Sequence, residues 1–158
     1  MSRIHHEVPI RCTGIAAVLL RRTDNDHKVL LLKRNSAVLR DTWCYIGGGI
    51  EEGEKAWEAA LREIREETSI TQVVLYNTNK FDQFYSAQAD YIYVAPVFVG
   101  YVDDDQEVIL NHEHSQYEWL TFNEAMDRVS LPGNDEVLAF IEKHFVRKAP
   151  SEWLRVSM

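Results

Sequence analysis

The chain has 158 residues, 46% of them hydrophobic and 27% charged, which suits one globular domain spanning residues 1–158 with a substantial core. Its net charge of −8 argues against a nonspecific nucleic-acid binder, which needs a basic surface. No apolar run approaches the roughly 18 residues of a membrane span, Met1–Glu7 lacks the apolar stretch of a secretory leader, and Cys12 and Cys44 form no CxxC pattern and read as reduced thiols, so the expectation is a cytoplasmic protein with no membrane association.

In chain order, Gly14–Leu20 reads as a buried strand. Arg21–Lys28, rich in Asn and Asp, reads as a hairpin turn, and Val29–Leu32 as a second strand. A loop through Asp41 and Thr42 leads to a short strand at Trp43–Ile46. Gly47–Gly49 reads as a glycine loop ahead of a helix from about Lys55 to Thr68. Gln72–Asn79 and Lys80–Tyr85 read as strands or a hairpin. Tyr91–Asp103 is the longest β-type run and fits a central strand. Pro96 within it points to a bulge or an edge. Asp103–Glu107 is an acidic, solvated turn. Tyr117–Leu120 is a short strand. Thr121 caps a helix at Asn123–Val129, with Glu124 as its capping-box partner. Leu131–Asn134 breaks the chain before a final amphipathic helix at Asp135–Phe145.

The helix beginning near Lys55 carries the strongest chemical signal. Glu63, Glu66 and Glu67 stand at i, i+3 and i+4 and share one face, where like charges repel. A hard divalent cation such as Mg²⁺ relieves that repulsion, because it prefers carboxylate and water oxygens. Trp57, Ala60, Leu61 and Ile64 form the core-facing stripe of the same helix. Relative to that stripe, Glu67 lies nearest the protein body and Glu66 furthest out. A charge run on a helix is ordinarily a solvated face. Here the glycines just before it shift the weight, since backbone N–H groups beside a carboxylate-bound metal suit a phosphate-containing substrate.

Residues 48–70 resemble the signature of the Nudix hydrolases, G-x5-E-x7-R-E-U-x-E-E-x-G-U with U aliphatic. Gly48, Glu54, Arg62, Glu63, Ile64, Glu66, Glu67 and Ile70 match it. Ser69 departs from it, standing where the family has glycine at the left-handed end of the helix. The resemblance implies an α/β fold, an α/β/α sandwich with a mixed β-sheet between helices. It also implies hydrolysis of a nucleoside diphosphate linked to another group, assisted by Mg²⁺, with Mn²⁺ as the alternative cation. It makes Glu63, Glu66 and Glu67 metal ligands, with the backbone at Gly47 and Gly48 contacting substrate. Arg62 then serves catalysis by orienting the glutamates rather than by touching substrate.

The segment HEHSQYEW, residues 112–119, resembles the E-H-x-x-Y-x-W stretch of the subgroup that includes dihydroneopterin triphosphate and dATP pyrophosphohydrolases. Glu113, His114, Tyr117 and Trp119 match. The resemblance implies that Glu113 approaches the metals, as a further ligand or as the base that activates water. Glu66 is the other candidate base. His112 and His114 suit a hard cation poorly and read as supporting residues. Arg34 resembles a phosphate-contacting basic residue, and Asn134 an asparagine that approaches the triphosphate, though an asparagine there also suits an N-cap. Phe81, Phe84, Tyr85 and Tyr91 read first as sheet surface and second as stacking partners for a base.

The leading expectation is cleavage of a nucleoside triphosphate or analogue, dATP-like or dihydroneopterin triphosphate, to monophosphate and pyrophosphate. The alternatives are a dinucleoside polyphosphate hydrolase acting on diadenosine tetraphosphate, and a noncatalytic ligand-binding module. The expected partner is a small nucleotide-like molecule rather than a nucleic acid polymer, with the chain a monomer or homodimer.

Overall fold

The computed structural model describes residues 3–158, so Met1 and Ser2 of the segment read for a leader lie outside the described residues. The centre is a mixed sheet of eight strands. Strand β2 (Gly14–Arg22) is its axis, because its residues are buried on both faces. Such a strand reads as a continuous apolar run rather than an alternating one. On one side it runs parallel to β7 (Tyr91–Val102), with Ala16 opposite Val97 and Arg21 opposite Val102. The short β1 (Ile10–Arg11) precedes β2 along that same neighbour. On its other side β2 meets β5 (Ile46–Gly49) at its start and β3 (His27–Arg34) at its end, both antiparallel. Strand β3 also carries β4 (Trp43–Cys44) and β8 (His114–Leu120). Strand β6 (Val74–Ser86) lies antiparallel on the far side of β7, which makes β7 an internal strand.

The alternation of β2 divides the core into two layers. Ile15, Ala17 and Leu19 pack with Ala59, Ala60 and Ile64 of helix α1 (Ala56–Thr68). Ala16, Val18 and Leu20 pack with Phe122 and Ala125 of α2 (Phe122–Arg128) and with Val137, Leu138 and Ile141 of α3 (Asn134–Ile141). Helices therefore cover both faces of a mixed sheet, the expected α/β/α sandwich. Each fully buried aliphatic side chain contributes about 1.5–3 kcal/mol by leaving water. Among the described residues no helix is long and apolar enough to cross a membrane.

Three expectations need correction. Gly47–Gly49 is not a free loop: it is most of β5, with Gly47 opposite Ala16 and Gly49 opposite Gly14. Alternate N–H and C=O groups of an antiparallel strand turn into the ladder, so part of this backbone is unavailable to an anion. Residues 72–85 do not form two strands or a hairpin but one strand, β6. Its register against β7 shifts between Asn77 and Phe81, where Asn79 takes a left-handed φ of 59°. The shift faces Pro96, which has no N–H to give the ladder, and next to it the Thr78 hydroxyl donates to Val97 O at 2.6 Å. The bulge expected from Pro96 thus sits on the partner strand. Finally, α3 gives way to a π-helical turn at Glu142–Val146, and an unanticipated 3-10 turn at Glu152–Leu154 follows. That last segment closes on β6, with Val156 N donating to Leu75 O at 2.9 Å and Tyr76 Oη donating to Glu152 Oε1 at 2.9 Å.

Candidate active site

Helix α1 begins just after Lys55, whose N–H donates to Glu58 Oε1 at 2.9 Å, and it ends at Ser69 with φ 65°. The glutamates rank by burial as the helix geometry requires. Glu67 is 1% exposed and Glu63 is 9% exposed, whereas the Glu66 side chain is 49% exposed. Gly48 makes room for this arrangement. A Cβ at that position would run into the Glu63 carboxylate and come within 2.7 Å of its Cγ.

One guanidinium holds the acidic face in place. Arg62 Nη1 donates to Glu63 Oε1 at 2.9 Å and to Glu66 Oε2 at 3.2 Å. Its Nε and Nη2 donate to the two oxygens of Glu54 at 2.8 and 3.0 Å, and Nη2 also reaches Gly49 O at 2.7 Å. Arg62 therefore ties the helix to β5 and to the turn before α1. The Arg62 guanidinium in turn holds the Glu54 carboxyl down at about 2.

The third part of the site arrives from the loop after β7. Ile109 N donates to Thr68 O at 2.9 Å and Ser69 Oγ donates to Ile109 O at 3.0 Å, which fastens that loop to the end of α1. Further along, Glu113 N donates to Asn111 Oδ1 at 3.0 Å, and Glu113 O accepts from Asn35 N at 2.8 Å. The result places ligand atoms of Glu67, Glu113 and His114 within 4.8 Å of one another. His114 opens β8, is buried, and sets its Nδ1 3.5 Å from Glu67 Oε1. Burial, then contact with Glu63, then the charge of Glu113 push the Glu67 carboxyl well above the usual carboxylate range. Among the described residues, Glu67 Oε2 and His114 Nδ1 are buried without a hydrogen-bond partner. An orphaned carboxylate oxygen amid other carboxylates is costly by itself. A divalent cation would satisfy it, so the donor set fits a metal.

The remaining candidates divide. Arg34 lies at the cluster, where its charge opposes the rise in Glu67. Part of its guanidinium is committed to its own loop, with Nε donating to Val38 O and Nη2 to Ser36 Oγ, both at 3.1 Å. Asn134 is not an N-cap. Gly133 holds that position, and Asn134 is the first residue of α3. It is buried, and its Nδ2 donates to Tyr45 Oη at 2.9 Å. Tyr45 Oη donates in turn to Asp82 Oδ2 at 2.9 Å. Sequence reasoning passed over Tyr45 and Asp82, because nothing in their spacing ties them to Asn134. Phe81, Phe84 and Tyr85 are about half exposed, and Phe84 stacks on Tyr93 with ring centroids 5.0 Å apart.

A family model for the NUDIX domain matches residues 13–141. The chain belongs to the Nudix family. This Nudix chain is 31% identical over 105 residues to the nucleoside triphosphatase NudI of Escherichia coli, covering 61% of this chain and 74% of that one. Among solved structures it superposes on a C. elegans Ap4A hydrolase binary complex with a TM-score of 0.73 at 20% identity, over 84% of this chain and 96% of that one. It superposes on the E. coli dihydroneopterin triphosphate pyrophosphohydrolase with a TM-score of 0.70 at 24% identity, over 87% and 97% of the two chains. At those identities the two likenesses speak to the fold. As a Nudix hydrolase the protein is an enzyme acting on phosphoric anhydride bonds. Nudix hydrolases generally use a divalent metal, and this Nudix chain has a carboxylate cluster to offer one.

Proposed function

We propose that this Nudix hydrolase cleaves a nucleoside triphosphate, or a close analogue such as dihydroneopterin triphosphate, to the monophosphate and pyrophosphate. The observation that carries the reading is the orphaned, buried Glu67 Oε2 beside Glu63, Glu113 and His114. A site that needs a cation to be stable suits a polyanionic substrate that needs one to react. The likeness to a nucleoside triphosphatase supports the choice of substrate class.

Glu63, Glu66, Glu67 and Glu113 would hold Mg²⁺, or Mn²⁺ in its place. Once bound, the metal supplies charge neutralisation of the polyphosphate and lowers the pKa of a bound water. Arg62 keeps Glu63 and Glu66 turned inward through its Nη1. Glu113 and Glu66 are the exposed members of the set, and one of them takes the proton of the attacking water. The water oxygen bonds to the α-phosphorus, the α–β anhydride bond breaks, and pyrophosphate leaves. Arg34, at the rim of the cluster, and the exposed backbone of Gly47 would steady the phosphates.

The test is a panel of nucleoside triphosphates, dihydroneopterin triphosphate and diadenosine tetraphosphate, assayed with Mg²⁺ and with Mn²⁺, with products resolved in ¹⁸O-labelled water. Label in the monophosphate from a triphosphate substrate is the expected result. Exclusive turnover of diadenosine tetraphosphate would replace this reading with the dinucleoside one. Metal-dependent binding without turnover of any substrate would leave a ligand-binding module.

A further inference from the structure

The Tyr45–Asp82–Asn134 chain lies on the α2/α3 side of the sheet, where Tyr45 belongs to the core layer, whereas α1 and its glutamates lie on the other side. Asp82 stands opposite Ala95 and Phe84 opposite Tyr93, so all four share one sheet face. The Tyr93 hydroxyl leans over Gly14, at a point where an added Cβ would also meet Gly48 O at 2.8 Å. Gly48 is the residue that makes room for Glu63. The stacked rings of Phe84 and Tyr93, 29° from coplanar, therefore lie beside Asp82 on this face and reach Gly14, at the end of the sheet where the Gly48 backbone lies.

The hydrogen bonds fix which atoms the polar chain presents. A carboxylate only accepts, so the Tyr45 hydroxyl must donate its proton to Asp82. The tyrosine oxygen must then accept, and Asn134 meets it with its amide nitrogen. That orientation turns Asn134 Oδ1 away from Tyr45, as an acceptor. Among the described residues Asp82 makes no ion pair, and its protein donors are neutral: Tyr45 Oη, Asn134 Nδ2 at 3.5 Å and the Gln83 N–H. A carboxylate offers about four lone-pair sites, so these donors leave Asp82 with capacity to accept.

Resting on the triphosphatase reading above, we propose that Asp82, held by Tyr45 and Asn134, selects substrates carrying a 2-amino-4-oxopyrimidine edge, the donor pair common to guanine and pterin. That edge presents a ring N–H beside an exocyclic NH₂, two donors against two acceptors. Adenine and cytosine instead present one donor beside a ring acceptor, which would face an acceptor across the contact. A site built to receive a donor discriminates strongly against an analogue lacking it, because its own buried polar groups stay unpaired. The ring itself would lie on the Phe84–Tyr93 shelf.

The experiment compares kcat/KM of the Mg²⁺-loaded enzyme for dGTP, dITP, dATP, dCTP and dihydroneopterin triphosphate, in the wild type and in Asp82→Asn. The dGTP and dITP pair differ only by the 2-amino group, so this arm holds even if the variant fails to fold. The expected result is at least a tenfold advantage of dGTP or dihydroneopterin triphosphate over dITP and dATP, collapsing in Asp82→Asn. The larger of the two preferred values identifies guanine or pterin as the source of the edge. Equal rates for dGTP and dITP without a tenfold advantage of dihydroneopterin triphosphate over both, or one common loss across all substrates in Asp82→Asn, would overturn the proposal and leave the triphosphatase reading standing. If the wild type turns over none of them, that reading fails, and thermal shift with GMP, IMP, AMP and neopterin decides the recognition separately. Stabilisation by GMP or neopterin, but not by IMP or AMP, supports it, and equal or absent shifts overturn it.

Discussion

Gly48 and Glu63 occupy one space: the volume that a side chain at position 48 would fill is taken by the Glu63 carboxylate. The glycine's value here is therefore the hydrogen it carries rather than its backbone freedom. Gly48→Ala should push Glu63 off its seat and break its 2.9 Å contact with Arg62. The expected outcome is at least a tenfold loss of kcat, about 1.4 kcal/mol of barrier, with the fold retained. Steady-state kinetics alongside a thermal melt check it, and unchanged kcat would show that the helix shifts freely to accommodate the methyl group.

Glu67 sets function against stability. Its carboxyl is almost fully buried and its Oε2 has no partner. Glu67→Gln should reduce turnover at least tenfold at saturating Mg²⁺, again about 1.4 kcal/mol. The same change removes a buried acid that repels Glu63 and Glu113, so the metal-free protein should melt no lower than wild type. It should also lose most of the rise in melting temperature that metal gives the wild type. Wild-type activity with an intact metal-induced shift would remove Glu67 from the site.

What the sequence made legible was whatever repeats at a fixed spacing. The period of the α1 stripe ordered Glu67, Glu63 and Glu66 by depth, and their burial follows that order. The continuous apolar run of β2 marked a strand covered on both faces. The bulge at Asn77–Phe81 was harder, because Asn-Thr-Asn is also turn chemistry and only the pairing with β7 distinguishes the two. The glycine run reads as a loop from local sequence because its partner, the start of β2, lies far back in the chain. His114 reads from the sequence as a supporting residue on hard-cation grounds, and only the entry of β8 beside α1 brings it against Glu67. Tyr45, Asp82 and Asn134 come from three distant segments, and no local pattern joins them.

Glu113 reaches the cluster from a loop and is exposed, so it can act as ligand or as base. Glu113→Gln keeps the shape and removes one negative charge. If it ligates, apparent Mg²⁺ affinity should weaken and added metal should partly restore the rate. If it is the base, the rate should fall at every metal concentration and the pH profile should lose a limb. If neither the rate nor its metal dependence moves, Glu66 becomes the preferred base.

Glu54 gives the acid limb of stability a named source. Its bond to Arg62 holds the carboxyl near 2, below its ordinary 4.5. A carboxyl depressed in the folded state stabilises above its unfolded value, and the contribution is lost as pH falls through the folded one. The melting temperature of the wild type should therefore exceed that of Glu54→Gln at neutral pH. The gap should narrow below about 4.5 and close near 2. A gap that does not change with pH would assign the effect to packing instead.

Ser69 stands where the family signature has glycine, and the left-handed φ of 65° is what that glycine would favour. On backbone grounds alone Ser69→Gly should stabilise, by about 1 kcal/mol or less. The side chain opposes this, because Ser69 Oγ donates to Ile109 O at 3.0 Å, a bond worth about 0.5–1.5 kcal/mol. The two effects should cancel to within about 0.5 kcal/mol in a denaturant melt. The functional consequence is separate. Ile109 belongs to the segment that carries Glu113 to the cluster, and the serine is one of two hydrogen bonds fastening Ile109 to the end of α1. Ser69→Gly should therefore loosen that segment and raise the Mg²⁺ concentration needed for half-maximal rate, with kcat at saturation preserved. Ser69→Ala, which keeps the backbone strain and loses the hydroxyl, should show the same metal effect and a lower melting temperature. If Ser69→Gly gains a full kcal/mol with no change in metal requirement, the hydroxyl contributes nothing and the segment is held by the Ile109–Thr68 bond alone.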